Sequence, residues 1–201
     1  MKKAIIGSIV GALIIFLWQF LSFGFVTLHQ SAQNYTDKQD AILSFLNSQG
    51  LKDGGYAMPG VPQGTSWSEM QKKMKDYDGK PYAMIQYHST SNMSMNAMYM
   101  NMIRGFLVNF VIVLLFCWLV SRMTTPGFAT IFFSALAVGM ISFLNQPYTG
   151  DIWYKYFDIW AYFLDALIAW GVTGIWLGWY LRKEKPQLST VKIGEREKEL
   201  A

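Results

Sequence analysis

The chain has 201 residues, 52% of them hydrophobic and 16% aromatic, and a formal net charge of +4. The basic excess lies at the ends, in Lys2, Lys3 and the stretch from Arg182 to Lys198, so it marks topology and does not make a nucleic-acid surface. A single cysteine, Cys117, excludes an internal disulfide, a CxxC redox pair and a cysteine-built zinc site, and with them a membrane thiol oxidase.

Apolar residues fall in long blocks nearly free of charge, and a bilayer span needs roughly 20 of them to cross about 30 Å of hydrocarbon. The first block, residues 4–28, follows Lys2-Lys3. It is longer than a signal-peptide h-region and ends without a small-x-small cleavage site, so it reads as an uncleaved anchor.

An insert at 29–101 comes next. Ala41, Ile42, Phe45 and Leu46 predict one helical face, and Gly50 and Gly54-Gly55 break that helix. Tyr56-Ala57-Met58 reads as a short strand. Ser66 and Glu69 form a capping box for a helix reaching Tyr77. Pro81 to Ser89 alternates as a second strand, with Ala83, Ile85 and Tyr87 on one face. The expectation is a small α+β domain.

Three more spans are predicted at 102–121, 126–144 and 157–181, followed by a charged, solvated tail at 182–201. Thr124-Thr125-Pro126 reads as the start of the third. Asn145 to Gly150 reads as a turn, and Trp153, Tyr154, Tyr156, Phe157 and Trp160 as an interfacial aromatic anchor. Lys2, Lys3, Arg122 and the C-terminal cluster share one side in a four-span arrangement, opposed in the short loops only by Lys155. The positive-inside rule then puts both termini in the cytoplasm and the insert outside. The expected fold is a membrane all-α bundle with a small extracytoplasmic α+β insert between helices 1 and 2.

Asp165 is the foremost candidate site residue. It lies two turns into the last span, about 9 Å at 1.5 Å per residue, where an unpaired ionisable group costs on the order of 2–3 kcal/mol. Gln19, Ser22, Asn109 and Asn145 fall at similar depth, and Arg104 is the nearby cation able to reach inward. Gln19, Ser22, Val26 and His29 follow helical spacing and share one stripe. This set forms either a polar vestibule for a proton, cation or small solute, or an interhelical hydrogen-bond cluster or an interface with a partner subunit.

The second candidate is the methionine run. Met93, Met95, Met98 and Met102 with His88 are soft ligands of the kind that select Cu(I), but Met95, Met98 and Met102 at helical spacing also read as one apolar face. A haem bundle needs axial ligands inside its helices, and the histidines, His29 and His88, lie outside the blocks or at their boundary. Gly7 and Gly11 on the first span and Gly174 and Gly178 on the last both match GxxxG, predicting a close approach of these two helices at the Lys2 end and a splay at the other.

Trp18-Gln-Phe-Leu-Ser22 with His29, then Gly55-Tyr-Ala-Met-Pro59, then Asp165-Ala-Leu-Ile-Ala-Trp170-Gly171 together resemble a family of uncharacterised bacterial inner-membrane proteins. The resemblance implies four spans with an insert after the first, and no activity. The sequence reading is thus an inner-membrane protein without enzymatic activity or cofactor, acting on the extracytoplasmic side as an accessory subunit or binding module. Its partners are the bilayer and a protein or a second copy of the chain. The alternatives are a transporter or channel component using Asp165, and Cu(I) handling by the run from Met93 to Met102.

Overall fold

The structure is a computed structural model that describes residues 2–91 and 93–183; the predicted tail beyond Lys183 lies outside them. Helices α1 (Lys2–Gly24), α4 (Met95–Ser121), α5 (Phe128–Phe143) and α7 (Ile159–Leu181) dominate. Between α1 and α4 come α2 (Gln39–Ser48), β1 (Gly54–Met58), α3 (Trp67–Tyr77) and β2 (Ala83–Tyr87). The short α6 (Thr149–Trp153) precedes α7.

Four helices are long and apolar enough to cross a membrane: Lys2–Gly24, Met95–Ser121, Phe128–Trp153 and Ile159–Leu181. Their outward surface carries the apolar load. Ile5, Ile6, Ile9, Leu13 and Leu17 are exposed on α1, and Val111, Leu115 and Leu119 on α4. Soluble monomers do not leave contiguous apolar surfaces of this extent open to water. The helices therefore point to a multi-pass membrane protein.

The chain forms two compact units, Tyr35–Ala97 and the residues on either side of that segment. In the smaller unit β1 and β2 pair antiparallel, with Tyr56 opposite Ile85 and Met58 opposite Ala83. Ser66 caps α3 in a reciprocal capping box with Glu69. Tyr87 is buried, and its hydroxyl donates to Asn47 Oδ1 (3.2 Å), tying α2 to the sheet. Gly54 and Gly55, expected to act as a break, lie inside β1. There the Gln86 amide approaches Gly55 so closely that a Cβ would stand 3.2 Å from it.

The core of the bundle contains Ile15, Val113, Phe116, Val120, Ile131, Ala135, Trp170 and Leu177. Without a hydrophobic drive between helices in lipid, small residues that allow close packing decide which helices meet. Gly7 and Gly11 do bring α1 onto α7: added Cβ atoms would stand 3.2 Å from Leu177 and from Thr173. Gly174 and Gly178 instead serve α5, against Ala135, Phe132 and Phe128, so the two GxxxG pairs do not face each other. Gly139 adds to the α5–α7 contact, lying under the Ala166 carbonyl and the Trp170 ring.

Three boundaries differ from the sequence expectation. The first helix ends at Gly24, and the amides of Phe25 and Val26 fold back onto the Leu21 carbonyl. The third starts after Gly127, leaving Thr124 to Pro126 in the preceding loop. Asn145 to Gly150 is not a turn but continues the helix through a π-turn at Leu144–Tyr148 into α6. Pro147 has no N–H to give a regular ladder, and the wider π-turn accommodates it. The Thr149 hydroxyl donates to the Leu144 carbonyl at 2.7 Å.

Close packing at Gly139 gives a direct expectation. Its added methyl would meet the Ala166 carbonyl at 2.7 Å, whereas at Gly105 nothing lies within 4 Å. Gly139→Ala should lower unfolding stability in detergent by about 1–3 kcal/mol. Gly105→Ala should leave it unchanged or raise it by up to about 1 kcal/mol through helix propensity. Denaturant titration followed by circular dichroism reads both.

Candidate functional site

The polar residues of the larger unit converge where the Gly24 end of α1 meets the start of α7. After α1 the chain turns sharply, with Thr27 in the left-handed region at φ 55°. A β-branched residue there costs about 1–3 kcal/mol unless its surroundings hold it. The turn drops His29 back into the bundle, where it is 1% exposed. The Ser31 hydroxyl donates to the Phe157 carbonyl (2.8 Å) and fixes the loop against the entry to α7.

His29 lies between two carboxylates. Its Nδ1 is 2.7 Å from Asp158 Oδ2, and its Nε2 is 3.0 Å from Asp165 Oδ2. Asp158 and Asp165 are two turns apart on one face of α7, about 10 Å at 1.5 Å rise per residue, and the imidazole fills that gap. Phe23 stacks on the ring (centroids 3.8 Å apart, planes 3° from parallel), and Tyr162 meets it edge-on at 4.8 Å. The other oxygen of Asp165 accepts from Trp18 Nε1 (2.9 Å) and from the Ser22 hydroxyl (2.6 Å). Asp158 caps α7 in position, yet its side chain makes no cap bond and turns to His29 instead.

Proton counting limits how this unit can be hydrogen-bonded. Two hydrogen bonds link three groups, and each needs a proton. An imidazolium between two carboxylates, or a neutral imidazole beside one carboxylic acid, meets that need, and both carry net charge −1. With one proton fewer, a nitrogen lone pair would face a carboxylate oxygen at hydrogen-bond distance.

The predicted polar residues separate into two groups. Asp165 and Ser22 are bonded together, while Gln19 and Asn109 pair with each other, the Asn109 amide donating to Gln19 Oε1 at 2.8 Å. Arg104 is exposed on α4 and Asn145 is exposed in the π-turn; among the described residues neither bonds Asp165. The partner expected in Arg104 is supplied by His29, which reaches the carboxylate through the left-handed turn and not along a helical stripe. His29 is thus inside the bundle and not at its boundary, and α1 and α7 are bridged at the end where a splay was expected.

Asp158 escaped the sequence reading because it follows an aromatic stretch that resembles an interfacial anchor. Its seven-residue spacing from Asp165 was the available signal, since positions two turns apart share a helix face.

In the smaller unit His88 is exposed, with Nδ1 3.9 Å from Asp53 Oδ2. Asp53 is held below the ordinary carboxylate range by hydrogen bonds from Ser89, its hydroxyl first and its amide next. Met95, Met98 and Met102 are exposed on α4, and Met93 precedes that helix. Among the described residues no group of three His, Cys, Asp or Glu side chains is arranged to hold a metal ion.

Comparison of the chain with protein-family models, with curated proteins and with solved structures found no match.

The geometry ranks the contributions to stability. Ser22→Ala removes one of three hydrogen-bond partners of Asp165 and should cost about 1–2 kcal/mol. His29→Ala leaves two carboxylates without their shared partner and should cost about 3–5 kcal/mol. Denaturation in mixed micelles measures both, and equal losses would contradict the ranking.

Proposed function

We propose that this chain is a non-enzymatic membrane module, an accessory subunit or small binding protein, in which Asp158, His29 and Asp165 clamp the first span to the last. The observation that carries this reading is that both oxygens of Asp165 are engaged within its own chain, by Trp18, Ser22 and His29. A carboxylate that captures and releases a hard cation must offer it free oxygens. Here the donors are already supplied, by rigid side chains on α1 and by a ring wedged between aromatic neighbours.

The expected setting is the bacterial inner membrane, with both termini cytoplasmic and the insert periplasmic. Lys2, Lys3, Arg122, Arg182 and Lys183 flank the spans on one side, which supports that orientation. The working face is then the periplasmic one, where the insert offers Ile42, Leu43, Phe45 and Trp67, all exposed, to a partner.

One feature favours a second reading. A carboxylate–imidazole–carboxylate line with contacts of 2.7 and 3.0 Å is a geometry along which a proton can pass. On that reading the chain contributes a proton step to a transporter, and Asp165 remains its central residue.

Two measurements separate these readings. Purification in a mild detergent should retain a protein partner in a stable large complex, and a lone small oligomer would count against the subunit role. In liposomes under a pH gradient, wild type and Asp165→Asn should both dissipate the gradient no faster than empty vesicles. A wild-type proton flux at least tenfold above that of the variant would replace the clamp with the relay.

A further inference from the structure

At the opposite end of the bundle, the first turn of α1, the last turn of α4, the loop before α5 and the end of α7 line a cavity of about 270 Å³ that opens to the surface. Its floor is apolar or nearly so: Ala4, Cys117, Val120, Pro126 and Leu181. Its rim carries three cations, Lys3, Arg182 and Lys183, and the Ser121 hydroxyl. Among the described residues no acidic side chain lines it. The position of Lys183 is built: its amide donates to the Pro126 carbonyl (3.0 Å), and its Nζ donates to the carbonyls of Met123 (3.3 Å) and Thr124 (3.4 Å).

We infer that this cavity binds the phosphate of an anionic phospholipid headgroup. The volume falls below the roughly 300–1,000 Å³ of sites for drug-sized ligands but accommodates a phosphate and its glycerol carbons. Arg182 offers a planar fork suited to two phosphate oxygens, and Lys3 and Lys183 supply point charges. The apolar residues below the rim meet the start of an acyl chain, a feature that free phosphate would not use. Basic pockets between spans are where anionic lipids bind selectively. The site lies at the other end of α1 and α7 from His29, so it stands whether the clamp or the relay reading holds.

The test uses the full chain purified in a zwitterionic detergent, with bound lipid counted by native mass spectrometry after addition of phosphatidylglycerol or phosphatidylcholine. Wild type should retain phosphatidylglycerol at least fivefold over phosphatidylcholine. Lys3→Gln with Arg182→Gln, which leaves the carbonyl bonds of Lys183 in place, should abolish that preference. Lys3→Arg with Arg182→Lys should keep most of it, which guards against a loss caused by misfolding. Lys72→Gln with Lys73→Gln on α3 removes the same charge elsewhere and should change nothing. An equal loss in that control would overturn the site, because bulk charge would then explain retention. Release of the lipid by millimolar inorganic phosphate would assign the cavity to free phosphate and overturn the lipid headgroup.

Discussion

Everything at one end of the bundle depends on pairing two carboxylates among apolar helices. An ionised carboxylate away from water costs several kcal/mol unless it is paired and hydrogen-bonded. The protein meets this with one imidazole shared between Asp158 and Asp165 and with donors from Trp18 and Ser22. The arrangement dictates the local path of the chain. α1 must stop at Gly24, Thr27 must take a left-handed conformation, and α7 must begin with a carboxylate whose side chain is not used as a cap.

The two ends of the α1–α7 pair are held by different physics. Near Lys2, contact is steric: Gly7 and Gly11 let Leu177 and Thr173 come close, and dispersion over a small area does the rest. Near Gly24, contact is electrostatic and directional. A steric contact can slide by fractions of an ångström at little cost, whereas hydrogen bonds to a wedged ring fix both distance and rotation. The rotational position of α7 is therefore defined at its Asp158 end, and α5 follows it through Gly139, Gly174 and Gly178.

The four long helices were legible because twenty-residue apolar blocks have few other readings in a sequence. The capping box at Ser66 and the second strand were legible for a similar reason, since their signals are local. The site was legible in part. Asp165 stood out as a charge in an apolar block, and Ser22 as a polar residue at matching depth. Its partner His29 was visible only as a member of a stripe that the backbone does not continue. Asp158 was hidden by its aromatic neighbours, and the fate of Gly174 and Gly178 depended on which helix packs beside α7. These are tertiary facts, set by a non-helical turn and by helix order, and periodicity carries neither.

The pairing of His29 with α7 also bears on how the chain assembles. The contacts to Asp158 and Asp165 join residues 129 and 136 positions apart, and Trp18 meets Asp165 across 147. α1 is synthesised first, so its polar groups wait through the making of the insert, α4 and α5 before their acceptors exist. Closure of the bundle is consequently a late event with a high loop-closure cost. Until α7 arrives, Trp18, Ser22 and His29 must find water or other partners for their hydrogen bonds.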